Sequence, residues 1–185
     1  MHDQAISSPS RFRQLVEENR HAVSQLADVI AGLSPQAYQQ RFGAQGQHTT
    51  GKHSRHIIDH YEAFLRGVDH SGRINYEHRD RDEVLETDPQ AATRHLNDLC
   101  AALEQILPVH EQTPLELDHW TGMETVVNPT SVGRELIFLS SHTVHHTAII
   151  GLLLEQMNVV PPREFGVNPS TLRHWDQQQA LAETY

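Results

Sequence analysis

Three histidines, His142, His145 and His146, interrupt the segment SSHTVHHTAIIGLLL (140–154), which otherwise reads as the apolar stripe of a buried helix. A buried polar ring left without a partner costs roughly 1–3 kcal/mol, so these imidazoles are either satisfied by neighbours or hold something. On a helix turning about 100° per residue, His142 and His146 lie about 40° apart and share a stripe with Glu135, Phe138, Ile149 and Leu153. His145 borders that stripe, while Ser140, Thr147 and Glu155 fall on the opposite face. Two histidines at i and i+4 stack one turn apart and can converge on one ion, the geometry by which HExxH helices bind zinc. The glutamate of that protease motif is missing, because position 143 is Thr.

A second segment, HSRHIIDH (53–60), repeats the pattern. His53, His56 and His60 occupy one arc beside the apolar side formed by Ile57, Tyr61, Phe64 and Val68, and any of the three could face the late histidine helix. Periodicity places His53 and His60 nearer the apolar centre than His56. Three neutral imidazoles around one divalent ion leave a coordination position open. That is the form of a catalytic site, since structural zinc is usually closed by four ligands and rich in cysteine. Cys100 is the single cysteine here.

Four long helices must position these rings. The first lies in SSPSRFRQLVEENRHAVSQLADVIAGLS, where Phe12, Leu15, Val16, Val23, Leu26, Ala27 and Ile30 recur at helical spacing before Gly32 and Pro35 end it. The second runs from a Thr49 or Thr50 cap to about Val68, and the third from a Thr87 or Asp88 cap, with Pro89 in its first turn, to near Pro108. The fourth starts at a Thr130 or Ser131 cap and ends about Met157. Between them, 69–86 is strongly charged, and 111–130 alternates like a hairpin about a TG turn, setting Leu115 and Leu117 against Val126 and Val127. The expected architecture is all-α: a four-helix bundle in one domain, 1–185, with a core over about 10–157 and a tail, 158–185, that carries a short helix.

Composition narrows the function. The formal net charge is -10 and Lys52 is the single lysine, which opposes a surface that tracks nucleic-acid phosphates. The start MHDQAISSPSRF has no basic stretch followed by an apolar core, and no unbroken apolar run reaches the roughly 20 residues of a membrane span. With one cysteine no intrachain disulfide can form. These features set the expectation of a cytoplasmic protein with neither a membrane nor a nucleic-acid partner.

Histidine order and helix position together resemble a known family. RHIIDH, with His56 and Asp59 on the second helix, and SHTVHH, with His142 and His146 on the last, are similar to the DinB/YfiT-like metalloenzymes over about residues 10–157. The resemblance implies a divalent ion, usually zinc or nickel, held by His56, His142 and His146 at the centre of the bundle, often in a homodimer. It thereby selects His56 over the wheel's His60 or His53. Relatives include bacillithiol S-transferases and mycothiol-dependent maleylpyruvate isomerases, so it also implies a small-molecule substrate, with a low-molecular-weight thiol as candidate partner and transferase or hydrolase chemistry.

Around that set, Asp59 is a candidate to orient a ligand ring or meet a loop, and Glu135 to pair with arginine or serve as a pocket acid. His60 and His145 are further pocket candidates. Tyr76, Arg79 and Arg81, on the charged connection, could cover the mouth and engage an anion. Trp120 is a candidate pocket wall or core residue. Three rival readings compete. One is a non-catalytic helical bundle that serves interaction or metal binding. Another is a di-iron carboxylate bundle, for which only Glu18 and His21 supply an ExxH pair on a helix. The third is a nucleic-acid module.

Overall fold

A computed structural model describes residues 9–78 and 80–182. Its elements, in chain order, are α1 (Pro9–Ala31), α2 (Pro35–Tyr38), α3 (Thr50–Arg66), β1 (Arg73–Ile74), α4 (Val84–Thr87), α5 (Pro89–Gln105), β2 (Pro114–Trp120), β3 (Thr125–Ser131), α6 (Val132–Gln156) and α7 (Pro169–Ala182). The four long helices expected from the sequence are α1, α3, α5 and α6. A π-type turn, Gly67–Ser71, carries α3 past Arg66.

Each paired choice of helix cap resolves to the residue whose oxygen reaches the orphan amides of the first turn. Thr49 Oγ1 accepts from the Lys52 amide at 3.0 Å. The Asp88 carboxylate accepts from the amides of Gln90 and Ala91 at 2.8 and 3.2 Å, with Pro89 at the position where a missing N–H costs nothing. Ser131 Oγ accepts from the Arg134 amide at 3.3 Å.

Packing runs in a ring: α1 and α3 lie diagonally, and each packs against both α5 and α6. The core inside that ring comes from Val16, Val23, Leu26 and Ile30 of α1, Ile57, Ile58, Tyr61 and Phe64 of α3, Leu96 and Leu103 of α5, and Leu136, Leu139, Ile150 and Leu154 of α6. Burying each such side chain contributes about 1.5–3 kcal/mol. One polar thread crosses this core. Asn19 Nδ2 donates to the carbonyls of Leu15 and Leu136 at 2.8 and 3.0 Å, while its Oδ1 accepts from Tyr61 Oη at 2.8 Å. Thr143 Oγ1 lies 3.1 Å from the same phenol.

The buried line of α6 differs from the one the helical wheel predicts. It runs through Leu136, Leu139, Thr143, Thr147, Ile150 and Leu154, so Thr147 points inward and His142 and His146 sit half-buried on the flank that faces α3. Threonine can occupy the core because its hydroxyl is satisfied within the helix: Thr143 Oγ1 donates to Leu139 O at 2.7 Å and Thr147 Oγ1 to Thr143 O at 2.8 Å. By length and composition α6 could also cross a bilayer. Glu135, the histidines and the threonines interrupt its apolar pattern, and in this fold it packs against α1 and α3 as one of the four long helices of the bundle.

The hairpin forms with a different register. Its loop takes four residues, Thr121 to Glu124, closed by the Thr121 amide donating to Glu124 O at 3.0 Å. Leu115 therefore pairs with Thr130, Leu117 with Asn128, and Asp118 with Val127. The two valines are exposed rather than opposite the leucines, and Leu115 alone of the four is buried. β1 adds a parallel strand to β2, which the charged connection does not advertise.

One backbone approach fixes how α3 meets the connection after β1. A Cβ at Gly51 would stand 2.0 Å from Glu86 O. Gly51→Ala is therefore expected to push α3 and α4 apart and cost about 2–3 kcal/mol, read as a lower urea midpoint with an unchanged slope.

Candidate metal centre

The histidines of α3 and α6 meet as two rungs between antiparallel helices. In the first, His56 Nε2 and His142 Nε2 are 3.1 Å apart. In the second, one turn away, His53 Nδ1 and His146 Nδ1 are 2.9 Å apart. The rungs touch, with ring centroids 4.5 Å apart for both His56–His146 and His142–His146. His60, 6 % exposed, closes the other side, 4.4 Å from His56 and 4.0 Å from His142.

The donor chemistry fits a divalent ion. One ligating nitrogen each from His56, His60 and His142 all lie within 4.8 Å of one another. Zinc–nitrogen bonds of about 2.0–2.1 Å place ligands of a tetrahedral ion about 3.4 Å apart, close to the His56–His142 separation. All-nitrogen imidazole sets suit zinc, nickel, copper and iron rather than magnesium or calcium.

Neighbouring groups hold these rings in place. A carbonyl oxygen can only accept, so His60 Nδ1 must carry a proton and donate to His56 O at 2.8 Å, which leaves Nε2 as its ligating nitrogen. The His60 ring lies between His142 and Tyr76, whose ring is nearly parallel at 14° and 5.1 Å away. Tyr76 Oη donates to Glu135 Oε2 at 2.8 Å. Glu135 is fully buried and accepts on Oε1 from Thr130 Oγ1 and Arg134 Nη1, both at 2.6 Å. Burial, followed by the Glu135 charge, pushes the Tyr76 phenol well above its ordinary pKa, so it stays a neutral donor. The pKa values of His53 and His146 are lowered to about 4, chiefly by burial and then by neighbouring histidines. Both rings are thus neutral at pH 7, as a nitrogen ligand must be.

Of the residues singled out from the sequence, His56, His60, His142 and His146 come together, and Tyr76 and Glu135 form the adjoining wall. Glu135 takes arginine, phenol and threonine partners at once. Asp59 is buried, 3.7 Å from Arg55, which also reaches Glu86 at 3.1 Å, so it engages the connection through that guanidinium. His145 is exposed and touches His146 edge-on at 4.9 Å. Arg81 is exposed, in a left-handed conformation with φ 52°, and Arg79 lies outside the described residues. Trp120 is neither pocket wall nor core: it is 52 % exposed at the end of β2, where its amide donates to Glu77 Oε2 at 3.0 Å. His48, which the helical histidine rows do not include, stacks its ring on His53 at 5.6 Å and 6°. The available signal was its place next to the Thr49 cap.

Comparison with known proteins bears on the family and the fold. The model of the DinB family matches residues 1–169. FK506-binding protein 5 of Rhizopus delemar is 32% identical over 108 residues, which make up 57% of this chain; the match spans 28% of that protein's length. Among solved structures, YfiT from Bacillus subtilis, described as "a probable metal-dependent hydrolase with an unusual four-helix bundle topology", superposes with a TM-score of 0.59 at 14% identity. That superposition covers 86% of this chain and 94% of YfiT, and at this identity it establishes the fold alone.

Proposed function

Because the chain belongs to the DinB family, we propose that it is a metal-dependent enzyme in which His56, His142 and His146 hold zinc or nickel and a small molecule reacts at the position left open. The observation that carries this reading is the 3.1 Å approach of His56 Nε2 to His142 Nε2, with further imidazoles packed against both rings. The ligands His56, His142 and His146 lie in contact with one another, and a divalent ion gives the lone pairs of these neutral imidazoles a common partner. Bound there, such an ion lowers the pKa of a water or thiol that reaches it and acts as a Lewis acid toward an acceptor.

The protein's own groups do the rest. His60 and Tyr76 stack into one wall of the site, and the Tyr76–Glu135 hydrogen bond pins the connection after β1 against α6. Phe138, whose ring lies 5.6 Å from that of His142, supplies an apolar contact at the rim. The name of the YfiT structure supports water as nucleophile, and the family resemblance supports a low-molecular-weight thiol; both are small nucleophiles activated in the same way. The working form in this reading is a cytoplasmic homodimer. Elemental analysis of untagged protein is expected to find about one zinc or nickel per chain. A screen pairing small thiols or water with electrophilic acceptors and esters is then expected to find turnover that chelation abolishes. Protein purified without a stoichiometric ion, and unable to take one up, would overturn the proposal.

A further inference from the structure

We infer that His53 is the positioning residue for His146, accepting the proton on its Nδ1 so that Nε2 is the nitrogen presented to the ion. The inference rests on the reading of His146 as a ligand and adds a residue which that reading does not use. Two Nδ1 atoms 2.9 Å apart share one proton, because two lone pairs at that distance repel and two N–H groups clash. If the proton sits on His53, His146 must carry its own on Nε2 and cannot ligate through it. If it sits on His146, the Nε2 lone pair is available. Either way the leftover polar atom of His53 is the same, its buried Nε2, which has no hydrogen-bond partner among the described residues. That atom is a bare lone pair in the first arrangement and an N–H in the second, and the ion's need for a lone pair on His146 decides between them.

His53 is built to hold its place. It lies in the first turn of α3, behind the Thr49 cap. Its ring is covered by His48, and His48 is fixed in turn by a backbone bridge to Phe42: the Phe42 amide donates to His48 O at 2.9 Å and the His48 amide to Phe42 O at 3.3 Å. The order His48, His53, His146 thus runs from an anchored loop to the metal set. Outer partners of this kind orient a ligating imidazole and fix its tautomer.

Titration of untagged protein with zinc against a competing chelator tests the role, together with the electronic spectrum of the cobalt form. His53→Ala is expected to weaken zinc binding about 10–100-fold while leaving the ligand number read from the cobalt spectrum unchanged. His53→Asn places Oδ1 where Nδ1 stood and is expected to recover the affinity to within about threefold of wild type, since an acceptor at that atom is all the role requires. Nitrogen-15 shifts of the zinc form are expected to show His146 protonated at Nδ1. The inference fails if His53→Ala binds zinc as tightly as wild type, or if His53→Asn is as weak as His53→Ala. Wild-type protein that binds no ion sinks the metal reading itself. Unchanged affinity in His146→Ala alongside loss in His142→Ala sinks the ligand assignment, and this inference with it.

Discussion

His142→Ala is expected to abolish stoichiometric metal binding, with a loss of affinity well beyond the roughly 100-fold that follows removal of an outer-shell partner. Its ring stands 3.1 Å from His56 at the nitrogens and contacts His60, His146 and Phe138. Removing it takes away a ligand and the surface against which two other rings are oriented. The fold should survive, because His142 is half-buried on a flank while the buried line of α6 lies a position away, through Leu139 and Thr143. Far-ultraviolet circular dichroism would therefore stay at wild-type strength while zinc content falls to background. A variant that keeps its metal would place the ion elsewhere.

The same titration decides the third ligand. The family resemblance implies His146, whereas the nitrogens that gather within 4.8 Å belong to His56, His60 and His142. His146→Ala is expected to lose the ion as His142→Ala does. His60→Ala is expected to weaken it less, because its ring is stacked between His142 and Tyr76 and acts as a spacer. The reverse order would make His60 the ligand and leave His146 as a wall.

Which of this could be read from the sequence depended on the range of the physics involved. Helix existence and caps are local, so SSPSRF, TTGK, TDPQ and PTSVG announce the starts of the four long helices. The two histidine rows were equally visible, because i, i+3 and i+4 spacing is a property of one helix. Their facing arrangement was not, since it depends on how α3 and α6 dock. A helical wheel centres the buried stripe of α6 on His142 because threonine counts there as polar. The Thr143 and Thr147 hydroxyls donate to carbonyls one turn back, and that local satisfaction moved the core line to their side. On α3 the wheel favoured His53 and His60 over His56, and all three reach the cluster, each on a different rung or face. Likewise the Tyr76–Glu135 bond spans 59 positions, and no periodicity reports a contact of that length.

Acidification offers the second large effect. In the metal-free protein His53 and His146 have pKa values lowered to about 4, first by burial and then by neighbouring histidines, against an ordinary value of 6.5. Below pH 6.5 the unfolded chain binds protons that the folded chain refuses, so unfolding gains free energy with every step down in pH until the folded rings also protonate near pH 4. Stability contributed by keeping the two rings neutral is thus fully present above about pH 6.5 and is lost between 6.5 and 4. The unscreened linkage for shifts of this size would be about 3 kcal/mol for each ring, and partial exposure with mutual coupling reduces the pair to about 3 kcal/mol in all. Urea unfolding of chelator-treated protein at pH 7.5 and pH 4.5 is expected to reveal that loss. The double variant His53→Gln, His146→Gln should show a flatter dependence, because its amides do not titrate. Zinc should steepen the wild-type profile further, since protons then also displace an ion that stabilises only the folded state. A wild-type profile no steeper than that of the double variant would mean that the two rings already bind protons as freely in the fold as in the unfolded chain, and the neutral ligand set would have to be abandoned.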